Sequence, residues 1–158
     1  MELKNVEKMN KFFTDWLNEH DFDLVAEFSN DFSIDLSSNI LYYSCLIPNE
    51  LDKIFFEEIQ KDFPEFVNCD IFTLSFFHEV GHFETEWMWN DRQWKKYHKF
   101  IETEKGKIPV NYFRHPVEWE ATKWGCEYIL DNREEVINFI NGARTVIYDF
   151  YKENEIND

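Results

Sequence analysis

The run Phe76-Phe77-His78-Glu79-Val80-Gly81-His82-Phe83 constrains this chain more than any other stretch. It sets an H-E-x-x-H pattern in strongly apolar surroundings. On a helix, His78 and His82 lie one turn apart on one face, which is how a helix offers two imidazoles to a single zinc ion. Glu79 stands beside the first of them, where a carboxylate can take a proton from metal-activated water. At about 100° per residue, Phe76, Val80, Phe83 and Trp87 gather on the opposite side. The pattern predicts a helix over about 71–87, with one face in a core and the other carrying ligands. Gly81 costs such a helix about 1 kcal/mol relative to alanine, and a close neighbouring backbone would account for it. The bland alternative is a buried helix with two hydrogen-bonded core histidines. It leaves two imidazoles and a carboxylate unexplained on one apolar helix.

A catalytic zinc typically takes three protein ligands, so a further donor is needed. The segment Glu118-Trp119-Glu120-Ala121-Thr122-Lys123-Trp124-Gly125 offers two carboxylates, and helical geometry separates them. With Glu118 at the origin, Ala121, Thr122, Gly125 and Ile129 fall within about 60° of it. Glu120 points about 160° away, with Lys123 as its partner three residues on, and is expected in solvent. Glu118 shares its face with the smallest residues of the helix, which let that helix approach a neighbour closely. A carboxylate so placed is costly unless something positive meets it. Glu118 is therefore the expected third ligand. His115 is the rival donor, but it precedes Pro116 and falls outside the helix. A plain helix N-terminal carboxylate, favoured by the macrodipole, is the simpler alternative for Glu118.

Charge and composition narrow the function class. The chain has 158 residues and a formal net charge of −16, which argues against a phosphate-backbone partner because nucleic-acid binders gather Lys and Arg on one face. No basic cluster stands out beyond Lys95-Lys96 and Lys105-Gly106-Lys107. Aromatics make up 19% of residues, so a ring-dense interior is expected. Length points to a single domain, 1–158. The three cysteines, Cys45, Cys69 and Cys126, are too few and too scattered for a disulfide framework or a four-cysteine zinc site. Each reads as a small buried hydrophobe. No apolar leader opens the chain and no run approaches about 18 apolar residues. A cytoplasmic protein with no membrane partner is expected.

Periodicity organises the remainder. Leu3, Val6, Met9, Phe12, Phe13, Trp16 and Leu17 recur at helical spacing over 2–18. Residues 21–37 are mixed, with room for one or two short strands, for instance around Phe32 to Leu36. The run 39–47 is the best strand, β-branched and aromatic, closed by Pro48. Asn49 is placed to cap a helix that ends at Phe63-Pro64. Residues 90–104 are helical in pattern, with Trp94, Tyr97, His98 and Ile101 as candidate contacts. Pro116 suits the first turn of a helix running to about Asp131. A last helix over about 133–152 carries the stripe Val136, Phe139, Ile140, Ala143, Val146, Ile147 and Phe150, read as core or dimer seam.

Together the two ligand-bearing segments resemble the ImmA/IrrE family of gluzincin-like metallopeptidases. In that family an F-T-L-A-H-E-x-G-H run precedes an E-x-E-A-x-x-F-A helix. Here Phe72-Thr73-Leu74-Ser75-Phe76-Phe77-His78-Glu79-Val80-Gly81-His82 has two residues between Ser75 and His78 where the family run is more compact. Thr122 stands where the family usually has Asp or Asn orienting a histidine ligand, and Trp124-Gly125 replaces Phe-Ala. The resemblance covers about residues 34–131. It implies an α+β, mainly helical, zincin-like metallopeptidase domain with a short sheet beside the metal helix, and with helices 2–18 and 133–152 packed on that core. It also implies a role among phage or mobile-element regulators.

The expected function is that of a zinc-dependent endopeptidase acting on a protein or peptide. His78, His82 and Glu118 would hold Zn2+, and Glu79 would be the general base. Tyr112, His115 and His98 are candidates for the oxyanion or substrate contact. Residues 39–44 are equally compatible with an edge strand that pairs with substrate and with an ordinary interior strand. The alternative reading is a metal-binding regulatory module that captures a partner without cleaving it. Substrate identity and oligomeric state are not legible in these residues. A DNA-linked protease of the SprT type is disfavoured by the lack of basic surface.

Overall fold

The computed structural model describes residues 2–45, 48–66 and 69–156. The end of the expected strand, Leu46-Ile47, lies outside them. The class is α+β and mainly helical: seven α-helices and a three-stranded sheet among the described residues. The chain divides into two compact units, Met1–Ile47 with Ile129–Asp158, and Pro48–Tyr128.

In the first unit, α1 (Val6–Glu19) buries Met9, Phe13, Trp16 and Leu17, the stripe expected from periodicity. It begins later than that stripe suggests. Asn5 sits in the left-handed region (φ 65°) and sets the start, a conformation Asn tolerates better than most residues. Leu3 is thereby left outside and 43% exposed. Asp21, also left-handed (φ 66°), turns the chain after the helix.

The sheet has strands β1 (Val25–Phe28), β2 (Ser33–Asp35) and β3 (Ile40–Tyr43), in the order β1-β3-β2. β3 pairs parallel with β1 (Val25 opposite Ile40) and antiparallel with β2 (Ser33 opposite Tyr42). The edge-strand possibility for residues 39–44 is thereby overturned. Both flanks of β3 are taken, and its main-chain groups hold the sheet together. Nor is the outer edge of β1 open. Ala26 N–H donates to Thr14 Oγ1 at 2.9 Å and Phe28 N–H to Asn10 Oδ1 at 2.8 Å, so side chains of α1 satisfy groups that would otherwise template another strand. α7 (Arg133–Glu153) closes this unit. Phe13 meets Tyr43 and Phe139 at ring-centroid distances of 4.7 and 5.8 Å, and Phe28 meets Phe150 at 5.1 Å.

The second unit begins with α2 (Glu50–Asp62). Asn49 caps it and accepts from Asp52 N–H, while the Asp52 side chain accepts from Asn49 N–H. α3 (Ile71–Thr85) is capped by Asp70 and carries the H-E-x-x-H run. It is buried on every side from Thr73 to His82, as a helix apolar all round should be. It stops two residues short of the expected end. The chain tightens into a 3-10 turn over Glu86–Met88, which takes Trp87 out of helical register and leaves it 82% exposed rather than packed beside Phe76.

α4 (Asp91–Glu102) follows, with Asn90 and Gln93 forming its capping box. The short α5 (Pro109–Arg114) has proline at its first turn, and α6 (Pro116–Asp131) matches the expected bounds. Phe55 of α2 packs on Phe113 of α5 with centroids 5.0 Å apart. Arg114 lies over the Trp119 ring at 3.9 Å. Cys45 and Cys126 are buried as expected, but Cys69 is only half-buried.

Candidate metal centre

Two glycines bring α3 and α6 into backbone contact. A Cβ on Gly81 would stand 2.1 Å from the carbonyl oxygen of Ala121, and one on Gly125 would stand 2.8 Å from that of Phe77. Both distances are shorter than any ordinary carbon–oxygen contact, so the crossing requires glycine at both points. The residues of α6 that share the Glu118 face are all buried: Ala121 at 0%, Thr122 at 2% and Ile129 at 7% exposure. The close crossing carries Glu118 directly over the two histidines of α3.

Glu118 Oε1 lies 3.0 Å from His78 Nε2 and 3.1 Å from His82 Nε2. One ligand atom from each of the three residues falls within 4.8 Å of the others. The histidine rings stand 4.7 Å apart and nearly perpendicular, at 85°. All three residues are buried, and so is Glu79.

A second layer fixes the orientation of these groups. Thr122 has one hydroxyl hydrogen and gives it to the main-chain carbonyl of Glu118 at 3.1 Å. Its contact with His78 Nδ1 at 2.8 Å therefore has the ring N–H donating. With Nδ1 so engaged, Nε2 is the ring atom that would present its lone pair to a cation held with Glu118 and His82. Phe55 packs edge-on against the same ring at 5.2 Å. On the other side, the Tyr97 hydroxyl donates to Glu118 Oε2.

Electrostatics at the centre favour positive charge. Burial acts to raise the Glu118 carboxyl, but the His82 and His78 imidazoles outweigh it and hold the group well below the usual carboxylate range. Burial acts to lower His82, yet the charge and hydrogen bond of Glu118, with Glu79 adding to them, push it up to about 9. Glu79 is raised by burial, against the pull of both histidines and with a contribution from Glu118. The donor set suits a divalent cation: two imidazole nitrogens and a carboxylate oxygen, one from each residue, lie within 4.8 Å of one another. His78, His82 and Glu118 can chelate a divalent metal, and with Glu79 they compose a zincin-like H-E-x-x-H site completed by a distant glutamate.

The other candidates are placed differently. Tyr112 is within hydrogen-bonding reach of both Tyr97 and Glu118, and burial raises its phenol. The His115 ring lies between Tyr97 and Phe100 at 4.9 and 5.1 Å. Its Nδ1 accepts from Val117 N–H at 3.1 Å, so that nitrogen serves as a helix cap. His98 is exposed on α4 and stacks on Trp94. Glu120 pairs with Lys123 at 3.9 Å, as the helix geometry anticipated. Two contributors go beyond the sequence reading. Thr122 marks a departure there at a histidine-orienting position, and its hydroxyl nonetheless meets His78. Tyr97 could not be assigned its partner, since nothing in α4 indicates which residue it meets.

These features define a class, a zincin-like metal site on a mainly helical α+β scaffold. No protein-family model, curated protein or solved structure matches the chain. Among the described residues, no helix is long and apolar enough to cross a membrane.

Proposed function

We propose that this chain is a zinc-dependent endopeptidase acting on a protein or peptide substrate, with His78, His82 and Glu118 as metal ligands and Glu79 as general base. The observation that carries the reading is the convergence of Glu118, 40 and 36 residues beyond the two histidines, on both Nε2 atoms at hydrogen-bond distance. Zinc held by these three residues would supply Lewis acidity and lower the pKa of water at the centre toward neutrality.

The chain's own residues do the rest. Thr122 fixes the His78 tautomer so that Nε2 is the basic atom. Glu79 follows His78 in the chain, is buried and interacts electrostatically with both histidines and Glu118, which puts a carboxylate where a general base is needed. Its role is to accept a proton from the attacking water and deliver it to the leaving amine. Tyr112 and His115 are the candidates for the substrate carbonyl. Both flank Glu118 in the folded chain, and the hydrogen bond at His115 Nδ1 leaves its Nε2–H as the available donor.

The resemblance to ImmA/IrrE peptidases supports this reading and makes phage or mobile-element regulators the first substrates to try. A second reading, a metal-binding regulatory module, is favoured by the depth of the centre, since all four residues are less than 9% exposed.

Metal analysis of protein purified without added zinc tests the site. Near-stoichiometric metal, lost in His78→Ala and Glu118→Ala, is expected. Chelator-sensitive cleavage of a peptide library, retained metal and lost cleavage in Glu79→Gln complete the case. Undiminished cleavage by Glu79→Gln sinks the mechanism, and capture of a partner without products selects the second reading.

A further inference from the structure

Glu118 has two carboxylate oxygens, and the fold treats them differently. Oε1 faces both histidines, at 3.0 and 3.1 Å. Oε2 is engaged by the hydroxyl of Tyr97, which arrives from α4, 21 residues earlier in the chain. Tyr97 is 6% exposed. Its ring is held by Trp94 edge-on at 6.0 Å and by His115 at 4.9 Å, so packing aims the hydroxyl at Glu118, with Tyr112 also in hydrogen-bonding reach of it. A phenol is also the right donor: it gives one hydrogen to a carboxylate without bringing a competing charge.

We infer that Tyr97 is a positioning residue of the metal centre, occupying Glu118 Oε2 so that the carboxylate meets a metal through Oε1 alone. A carboxylate that binds through both oxygens takes two coordination positions, whereas a three-ligand site leaves one position open for reactants. Tyr97 acts through Glu118 and touches neither metal nor substrate. The inference rests on the metal-site reading above, and the test separates the two.

The experiment measures Zn2+ affinity by competition with a chromophoric chelator, and the visible spectrum of the Co2+-loaded protein. Wild type, Tyr97→Phe, Glu118→Ala and the Tyr97→Phe/Glu118→Ala double variant are compared. Tyr97→Phe keeps the ring and its packing and removes only the hydroxyl. It should weaken Zn2+ about 10–100-fold, the usual cost of losing a partner of a ligand, and should weaken the Co2+ bands as coordination number rises. Glu118→Ala loses the metal carried through purification but keeps both histidines, so its much weaker residual affinity is read at higher Zn2+, and there the same substitution should have no further effect. Tyr43→Phe is the control: that residue is also buried and its hydroxyl donates to Asn10 at 2.6 Å in the first unit, so its loss should leave both metal readouts unchanged. Wild-type affinity and spectrum in Tyr97→Phe would overturn the inference. So would an equal loss in Tyr43→Phe, or a loss that persists without Glu118. Failure of the wild type to bind Zn2+ would instead overturn the metal site itself, and the inference with it.

Discussion

His78 donates from Nδ1 to the hydroxyl of Thr122 across 2.8 Å, and that hydroxyl passes its own hydrogen to the carbonyl of Glu118 at 3.1 Å. A neutral threonine thus orients a histidine. It does so because its hydrogen is already committed to the helix backbone. Thr122→Val should cost about 10–100-fold in metal affinity and about 1 kcal/mol in stability. Thr122→Ser, which keeps the hydroxyl, should restore most of the affinity. Chelator competition on the three proteins checks this.

Gly81 meets main chain, not a side chain that could swing aside. An alanine there gains about 1 kcal/mol of helix propensity, but its Cβ would be 2.1 Å from the Ala121 oxygen. Overpacking at such a point costs about 1–3 kcal/mol or more. Gly81→Ala should therefore be net destabilised in urea unfolding and should bind metal more weakly, because α6 must retreat and take Glu118 with it. Wild-type stability with intact metal binding would contradict the close crossing.

The buried Glu58 carboxylate is held by Lys61 at 2.5 Å and by Arg114 Nε at 2.9 Å. Burial works to raise its pKa, but the two cations outweigh it and the group is lowered. A carboxyl lower in the folded than in the unfolded state contributes stability that is present above its unfolded value, about 4.3, and lost as pH falls through the folded one. Arg114→Met should cost about 1–3 kcal/mol at pH 7, a range reduced because Lys61 remains and Arg114 is partly exposed. The gap from wild type should close as pH drops below about 4. Denaturant titrations at pH 7 and pH 3 measure it.

Metal that binds only the folded chain stabilises it by mass action, about 4 kcal/mol at a thousandfold excess over Kd. For a chain of this length that corresponds to about 8–16 °C in Tm. Chelator should lower Tm by this order in the wild type and leave His78→Ala unmoved. Differential scanning calorimetry with and without zinc decides it.

Local periodicity determined much of this protein. The spacing of His78 and His82 put both imidazoles on one helical face. The small-residue face of 118–129 singled out Glu118 over Glu120, and Gly81 announced a close backbone before any neighbour was known. Proline and asparagine set the starts of α6 and α2. These are properties of a few adjacent residues, and helix geometry alone propagates them.

Only the tertiary structure decided that β3 is central, because strand order depends on which segments pair and not on the strand's own composition. It alone showed that the helix ends before Trp87, and that Tyr97 donates its hydroxyl to Glu118. A residue's partner across a fold is chosen by how separate elements pack, and the spacing within any one of them carries no record of that choice.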